Sequence, residues 1–302
     1  MSVPFPLVPD SAAFDAFMRE GPVSELLERI GCELGMGPLR RPSRGSAIVG
    51  VGTDEVLKVF CPIDRAHADA ERTSLEALAG RLPVPTARVR DHGELEGWPW
   101  IRMDRLPGEE LAEAWASFAP HEHRSLATQL GELLAVLHGV EAPTGIERVD
   151  WEAWCAERVP ASPDLQRAKG CPEALLAQIP DLLERADLRA GPTGWLHTEI
   201  MREHLLVERT PAGPVLSGVF DFEPSWVGPR SYELASVGLF FSAGDGGVLR
   251  EVLRAAGLEA APDRLMGMAL MHRYSNLGWY HRRLGGPLEL DALAEAWFGT
   301  AG

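Results

Sequence analysis

The pattern of apolar residues changes once along the chain, near Leu106-Pro107-Gly108, and this change limits the possible folds more than any other feature. Before it, short apolar runs alternate with turn residues, which is typical of strands joined by hairpins. After it, apolar residues recur mainly at helical spacing. We therefore expect an α+β fold with two lobes, a small β-rich one followed by a larger, mainly helical one, and a cleft between them.

The first part predicts two strands, a helix and two further strands. The predicted elements are strands at 47–49 and 55–60, a helix at 64–80 and strands at 87–90 and 98–103, with turns at 50–54 and at His92-Gly93. Pro62 is expected to end the second strand, because proline cannot donate a backbone hydrogen bond to a sheet. We place the first lobe at residues 1–105.

The second part, residues 106–302, predicts mostly helices. Its clearest helix carries Leu126, Leu130, Leu133, Leu134 and Leu137 on one face. Further helices are predicted at 151–159, 172–186, 248–256, 262–284 and 288–298, and strand-like segments at 194–207 and 215–222.

The chain has 302 residues, with 29 Lys and Arg against 44 Asp and Glu, which gives a formal net charge of −15. Such a surface repels the phosphates of nucleic acids and of anionic lipids, so we expect neither as a partner, whereas a cationic small molecule is compatible with it. The four cysteines form no close pair, and the first residues lack the features of a signal peptide. We expect a reduced, monomeric protein in the cytoplasm, without a membrane span.

Lys58 is the first candidate for a functional side chain. On a strand it shares one face with Val56 and Phe60, and the other face is apolar too. Such a lysine either reaches solvent from an edge strand or binds a buried acid. Glu71 is the candidate acid, because it shares a helical face with Leu75, where an unpaired carboxylate would be costly. A strand lysine with an inward glutamate resembles the ion pair that holds nucleotide phosphates in protein kinases.

The most informative segment runs from Trp195 to Val207 and is followed by a strand that ends in Asp221-Phe222. The candidate functional side chains, in order, are His197, Glu199, His204, Asp221 and Glu223. Their spacing is that of the kinase catalytic loop, H-x-D-x4-N, and of the D-F-G motif. Three positions differ from that pattern, with glutamate, histidine and glutamate in place of aspartate, asparagine and glycine.

Other motifs find little support in the sequence. Gly50-x-Gly52 precedes a strand rather than a helix, so it does not indicate a dinucleotide-binding fold, and no Walker A motif is present. His197-x-Glu199 would also suit two ligands of a non-haem iron site, but such a site needs a β-barrel and the flanking sequence is largely helical.

With these motifs the chain resembles the aminoglycoside phosphotransferase family, which comprises antibiotic kinases with a protein-kinase-like fold. The resemblance covers almost the whole chain. It is carried by Val56–Val59, Leu130–His138, His197–Val207, Asp221–Glu223 and Gly228–Ala235. Within the family, residues 93–103 and 293–299 are most similar to the hygromycin B phosphotransferase branch.

The resemblance implies a role for each candidate residue. Glu199 takes the position of the catalytic base, and His197 belongs to the same loop with a more structural role. Asp221 and His204 are the implied ligands of Mg²⁺, with Mn²⁺ as an alternative because imidazole is a poor ligand for Mg²⁺. The implied contacts to ATP or GTP come from Lys58, Glu71, Ser43, Ser46, Met103 and Arg105.

The resemblance further implies transfer of the γ-phosphoryl group to a hydroxyl of a cationic small molecule, foremost an aminocyclitol antibiotic of the hygromycin type, which would confer resistance. We expect an acidic acceptor pocket formed by Glu199, Glu203, Glu223, Asp291 and Glu295. The resemblance also implies that the acceptor lies between the catalytic loop and the C-terminal helices, of which the segment 271–281 is rich in polar aromatic residues. Within it, Trp279 is expected either to stack on a sugar ring or to lie in the core. Two alternatives remain open, namely a metabolic kinase for choline, homoserine or a thiosugar, and a catalytically weak, nucleotide-binding pseudokinase.

Overall fold

The first lobe is built on a four-stranded antiparallel sheet. The strands are β1 (Ile48–Val51), β2 (Glu55–Val59), β3 (Val89–Leu95) and β4 (Trp98–Asp104), in the order β1-β2-β4-β3. The computed structural model describes residues 6–42 and 48–300. The predicted turn at His92-Gly93 is wrong, since both residues lie within β3 and pair with β4. The turn is Glu96-Gly97, where both residues have positive φ, as a tight hairpin requires.

Helices cover both faces of this sheet. The sequence did not predict α1 (Ser11–Glu20) and α2 (Val23–Glu33), which pack on one face through a cluster that includes Ile30, Leu57 and Trp98. The predicted helix α3 (Arg65–Leu78) lies on the other side and joins the main core through Leu75. The central strands are therefore buried on both sides.

The second lobe is mainly helical, as predicted. Its helices are α4 (Leu111–Ala114), α5 (Pro120–Leu137), α6 (Trp151–Ala168), α7 (Glu173–Leu176), α8 (Ile179–Arg185), α9 (Arg230–Ser236), α10 (Gly246–Ala256), α11 (Pro262–Met271), α12 (Leu277–Leu284) and α13 (Leu290–Phe298). Gly131 lets α5 approach α10 closely, because a Cβ there would lie 2.5 Å from the Cβ of Ala255.

Two small sheets hold the loops of the second lobe. They consist of β5 (Glu109–Glu110), β8 (Leu205–Thr210) and β9 (Gly213–Val219), in the order β5-β8-β9, and of β6 (Glu147–Arg148), β7 (Thr193–Leu196) and β10 (Trp226–Pro229), in the order β6-β10-β7. The segment 197–204 connects β7 to β8, and the segment 220–225 connects β9 to β10. Both segments that carry the kinase-like motifs are thus fixed at each end by a strand.

Three predicted helices have different limits in the structure. The helix predicted over 172–186 is broken at Ala177-Gln178 into α7 and α8. Helix α6 continues past Val159, through two prolines, and Gln166 near its end is buried. The Gln166 amide donates to Ser275 Oγ (2.9 Å) and its carbonyl accepts from the backbone N–H of Leu277 (2.7 Å). These bonds anchor the break between α11 and α12, where the sequence predicted one continuous helix over 262–284.

The two lobes share one hydrophobic core. Phe60, Ile101 and Met103 from the first lobe belong to the same buried cluster as the leucines of α5. The four-stranded sheet ends at Asp104, next to the boundary predicted at residue 105. Among the described helices, none has the length and apolar character needed to cross a bilayer.

Candidate active site

Lys58 lies at the centre of a cluster of acidic side chains. It projects from β2 into the interior and is only 6% exposed, so the interpretation as a solvent-reaching edge lysine is wrong. Its Nζ lies 2.5 Å from Asp221 Oδ1, 2.9 Å from Glu223 Oε2 and 3.7 Å from Glu71 Oε2. Burial would lower the pKa of Lys58, but these three carboxylates outweigh it and raise the pKa above its ordinary value. One cation thus faces three anions.

Glu71 points inward from α3, as its helical position predicted, and is 1% exposed. Burial raises the pKa of its carboxyl to about 7, although Lys58 opposes this, and the backbone N–H of Phe222 donates a hydrogen bond to it. Its Oε2, which faces Lys58, has no hydrogen-bond partner. Glu71 is therefore the most weakly bound of the three acids around the lysine.

Asp221 follows β9 and adopts a left-handed conformation with φ of 73°. Such a conformation is unusual for a residue other than glycine, although aspartate and asparagine tolerate it better than most, and it turns the carboxylate toward Lys58. Burial would raise the pKa of Asp221, but Lys58 and His204 outweigh it and hold the pKa below its ordinary range. Asp221 is therefore a carboxylate at neutral pH.

The loop before β8 is held by a buried acid from α9. Glu233 accepts hydrogen bonds from the backbone N–H groups of His197 (2.7 Å) and Thr198 (2.9 Å). Thr198 has a φ of 72°, and its carbonyl accepts from His272 Nε2 (3.0 Å). These bonds fix the strained turn immediately before Glu199.

His197 has the structural position that the sequence suggested. It is fully buried, its Nε2 donates to the carbonyl of Phe220 (2.9 Å), and its Nδ1 accepts from the backbone N–H of Glu199 (3.3 Å). Burial lowers the pKa of His197, so the ring is neutral at physiological pH. His197 thus connects the strand end at Phe220 to the loop that carries Glu199.

His204 faces Asp221 through one ring nitrogen. Its Nδ1 donates to the carbonyl of Glu199 (2.9 Å), so Nε2 is the nitrogen left to face Asp221, 3.3 Å from Oδ2. A protonated ring donates from Nε2 to this carboxylate, whereas a neutral ring offers a lone pair there. In the neutral ring, Nε2 and the carboxylate can bind one cation between them.

Glu199 lies between this charged cluster and a cavity of about 300 Å³. Burial raises the pKa of its carboxyl to about 7, and the negative charges of Asp221 and Glu223 act in the same direction, while His204 opposes them. The other residues that line the cavity are Met201, Phe240, His272, Tyr274, Asn276, Trp279 and Tyr280. A partly protonated carboxyl beside a cavity can accept or donate a proton near neutral pH.

The structure brings five of the predicted site residues together, namely Lys58, Glu71, Glu199, His204 and Asp221. Met103 and Arg105 lie at the end of β4, where Met103 is buried and the backbone N–H of Arg105 donates to the carbonyl of Asp54 (3.0 Å). That N–H is already used within the first lobe. The predicted phosphate-loop residues Ser43 and Ser46 lie outside the described residues.

The predicted acidic pocket is not formed by its five members. Only Glu199 lines the cavity; Glu203 pairs with Arg283 (3.6 Å) and Asp291 with Arg185 (2.5 Å). Glu223, which the sequence assigned to this pocket, instead contacts Lys58, and Glu295 is exposed on α13. Each of these four acids outside the cavity lies next to a cation or to solvent, and the sequence spacing could not show these neighbours.

Several residues of the cavity were not predicted. Phe240 comes from a π-helical turn at Val237–Ser242, and His272 from the break between α11 and α12. The sequence indicated this part of the cavity only through the density of polar aromatic residues at 271–281. Trp279 is 41% exposed at the cavity, so the alternative that it lies in the core is wrong.

The fold is similar to those of several solved antibiotic phosphotransferases. The GDP complex of aminoglycoside 2'-phosphotransferase-IIIa gives a TM-score of 0.68 at 16% identity, over 83% of this chain and 88% of that chain. A macrolide 2'-phosphotransferase from Brachybacterium faecium gives 0.61 at 21% identity, over 92% and 98%. The complex of aminoglycoside phosphotransferase APH(4)-Ia with ADP and hygromycin B gives 0.59 at 18% identity, over 89% and 97%. The predicted two-lobed, protein-kinase-like fold is confirmed.

No curated protein matches the chain. The sequence does match the model of the phosphotransferase enzyme family, over residues 46–268. This match covers well over half of the chain, including Lys58, the loop at 197–204 and Asp221, and it confirms the predicted enzyme class. The finer assignment to the hygromycin B branch stays a prediction. The chain therefore belongs to the phosphotransferase enzyme family.

Proposed function

We propose that this enzyme transfers the γ-phosphoryl group of a nucleoside triphosphate to a hydroxyl group of a small molecule. The observation that carries the proposal is that Lys58, Asp221 and Glu199 lie close together in the fold although they are far apart in the sequence. In the reaction, the acceptor oxygen bonds to the γ-phosphorus and the bond to the β-phosphate oxygen breaks. The hydroxyl proton passes to Glu199, and the nucleoside diphosphate leaves.

Lys58 is the proposed phosphate ligand, and Glu71 its buried support. Because Lys58 faces three carboxylates, it has charge partners to hold it in place while its Nζ meets the α- and β-phosphates. Glu71 lies farthest away and lacks a hydrogen bond on its Oε2, so it positions the lysine by charge rather than by a direct bond.

Asp221 and His204 are the proposed ligands of a divalent cation. The described residues contain no group of three or more His, Cys, Asp and Glu side chains placed to hold a metal. A site with one carboxylate still fits Mg²⁺, because this ion usually binds through one or two carboxylates together with substrate phosphates. The bound cation would neutralise the phosphate oxygens. His204 Nε2 would favour Mn²⁺ more than an amide oxygen does.

The nucleotide is ATP or GTP in this proposal. Solved relatives were crystallised with GDP and with ADP. Ser43 and Ser46 are the proposed backbone ligands of the phosphates, and Met103 with Arg105 the segment that meets the base. Since the N–H of Arg105 is used by Asp54, the base would have to bind other backbone groups of this segment.

For the acceptor, we propose an antibiotic or a molecule with similar functional groups, whose phosphorylation would confer resistance. Aminoglycoside and macrolide phosphotransferases are both among the structural relatives. The predicted hygromycin-type aminocyclitol is one candidate, based on the similarity of residues 93–103 and 293–299 to that branch. The acidic pocket expected for an aminated sugar does not support it, because its five members do not form one pocket. A metabolic small-molecule kinase would use the same charged residues, so an acceptor panel has to include metabolites.

One variant helps to distinguish an active enzyme from the alternative of a nucleotide-binding pseudokinase. Asp221→Asn keeps the size of the side chain, and asparagine tolerates the positive φ at this position. We expect turnover to fall by at least about 10³-fold, because the carboxylate charge at the phosphates is lost. Mass spectrometry of phosphorylated products and a nucleotide-dependent thermal shift provide the readouts.

The matched control is Asp164→Asn, since Asp164 pairs only with a nearby arginine on the surface. This variant should keep full activity. A thermal shift with nucleotide but no phosphorylated product from any acceptor would support the pseudokinase. Unchanged turnover in Asp221→Asn would disprove the proposed site.

A further inference from the structure

The cavity beside Glu199 is lined by rings rather than by charges. Apart from the carboxyl of Glu199, the lining side chains are Met201, Phe240, His272, Tyr274, Asn276, Trp279 and Tyr280. We infer that the acceptor is a small ring-bearing alcohol with at most one positive charge, and not a polyamine. This inference rests on the proposed phosphoryl transfer and names the substrate class of that same site.

The rings of Phe240, Trp279 and Tyr280 form an aromatic wall of the cavity, and contacts among them hold it in place. The Phe240 and Tyr280 rings meet edge to face at 5.6 Å, and Trp279 meets Tyr280 in the same manner at 5.7 Å. The Tyr280 hydroxyl donates to the carbonyl of Tyr274 (3.3 Å), and Asn276 caps the start of α12. The rings therefore present a preformed surface, and ring faces bind apolar or aromatic groups.

The charges near the cavity do not suit several ammonium groups. Glu203, the next acid along the loop, is paired with Arg283. The Arg283 guanidinium lies 5.4 Å from the ring centroids of both Phe240 and Trp279, so a positive charge stands against the same wall. A polyamine would lose water around each ammonium group and find one carboxylate among the lining side chains, that of Glu199, because Asp221 and Glu223 contact Lys58 and Glu203 contacts Arg283.

The imidazole of His272 adds no charge to the cavity. It is buried, its Nε2 donates to the carbonyl of Thr198, and its Nδ1 accepts from the backbone N–H of Tyr274 (3.3 Å). Both nitrogens are thus used in a neutral ring. The cavity volume of about 300 Å³ is at the lower end of the range of roughly 300–1,000 Å³ for ligand pockets, which suits one ring system better than a trisaccharide.

Direct binding tests this inference without requiring turnover. The probes are chloramphenicol and 4-hydroxyphenethyl alcohol as uncharged ring alcohols, phenylalaninol as a ring alcohol with one amine, and kanamycin and hygromycin B as polyamines. Calorimetry on the full chain should show at least one ring alcohol binding about 10-fold more tightly than either polyamine, a free-energy difference of about 1.4 kcal/mol. Tighter binding of a polyamine, or no saturable binding of any ring alcohol, would overturn the inference.

Two variants test the wall itself. Trp279→Ala should weaken binding of the ring alcohol by about 10-fold. Leu288→Ala is the control, because this side chain is equally exposed (43%) but does not line the cavity, and it should leave binding unchanged. Arg283→Gln should strengthen kanamycin binding several-fold if the guanidinium repels polyamines. Equal losses in Trp279→Ala and Leu288→Ala would contradict the assigned surface.

The inference and the proposed function fail in different ways. If no nucleotide binds and no acceptor is phosphorylated, the proposed function is wrong. If ATP is consumed and a polyamine is the preferred acceptor, phosphoryl transfer stands and only the substrate class is wrong.

Discussion

The two sides of Glu199 differ sharply in chemistry. On one side, Lys58, Asp221 and Glu223 form a compact cluster of charges with Glu71 behind it. On the other, the cavity wall consists of aromatic rings, a neutral imidazole, one methionine and one asparagine. The charged side is suited to phosphates and a cation, which every reaction of this type shares. In the proposed function the aromatic side would select the acceptor, so we expect substrate choice and phosphoryl transfer to depend on different residues.

Glu199 joins the two sides, and its removal should have the largest effect. Glu199→Gln keeps the size and hydrogen-bonding capacity of the side chain but cannot take a proton from the acceptor. We expect kcat to fall by about 10²–10⁴-fold with little change in the KM for nucleotide, because general-base catalysis contributes that much. Steady-state kinetics of diphosphate release with a phosphorylated acceptor provides the measurement.

Glu199→Asp is the matched variant for this position. It keeps the carboxylate but withdraws it by one methylene, a displacement of ~1 Å that can cost about 10²-fold in rate. Activity in the aspartate variant should therefore exceed that of the glutamine variant. If Glu199→Gln retains more than a tenth of the wild-type kcat, the carboxyl is not the base.

On the charged side, we expect replacement of Lys58 to cost more stability than replacement of Glu71, the acid that lies farthest from it. Lys58→Met leaves three acids without their common cation, and losing one partner of a buried ion pair costs about 3–5 kcal/mol. Glu71→Gln removes one of three anions and keeps the lysine balanced, so we expect a loss below about 1 kcal/mol. Urea denaturation of both variants measures the two free energies of unfolding.

Equal losses in these two variants would contradict the description of one cation shared by three acids. A large loss in Glu71→Gln alone would instead show that Lys58 depends mainly on Glu71. Asp69→Asn serves as the control on α3, because Asp69 is exposed and lies 3.9 Å from its nearest cationic partner, Arg72.

The charged side could be predicted from the sequence, because its residues lie at fixed positions in regular elements. The alternation along β2 predicted that Lys58 is half buried, and the helical spacing predicted that Glu71 points inward. The spacing of the kinase loop identified Glu199, His204 and Asp221 as site residues. What the sequence could not give was which acid contacts Lys58 most closely. Asp221 lies 2.5 Å from Lys58 Nζ, Glu223 2.9 Å and Glu71 3.7 Å, and this order depends on the backbone turn at Asp221.

The aromatic side could be predicted only in part, because it is assembled from irregular segments. The density of polar aromatic residues at 271–281 indicated one of these segments, but not Phe240 and not the break in the helix. The break that carries His272 depends on bonds from Gln166, which is more than a hundred residues away. The expected acidic pocket failed for a similar reason, since Arg283 and Arg185 reach two of its members from other helices. Partners that are distant in sequence leave no local pattern, and the same holds for the unpredicted helices α1 and α2 against the sheet.

An effect that is expected only in acid concerns the neutral imidazole of the aromatic side. Burial lowers the pKa of His272 to about 4, below the value of about 6.5 in an unfolded chain. The unfolded state therefore takes up a proton first as the pH falls, so this contribution to stability is complete above about pH 6.5 and is lost toward pH 4. At pH 4.5 the loss amounts to roughly 2–3 kcal/mol. His272→Gln cannot titrate, so its stability relative to wild type should improve by that amount between pH 7 and pH 4.5 in urea denaturation. Because wild type and variant share all other titrating groups, including His197, a difference that does not change with pH would mean that His272 is charged in the fold, and the cavity would then not be neutral.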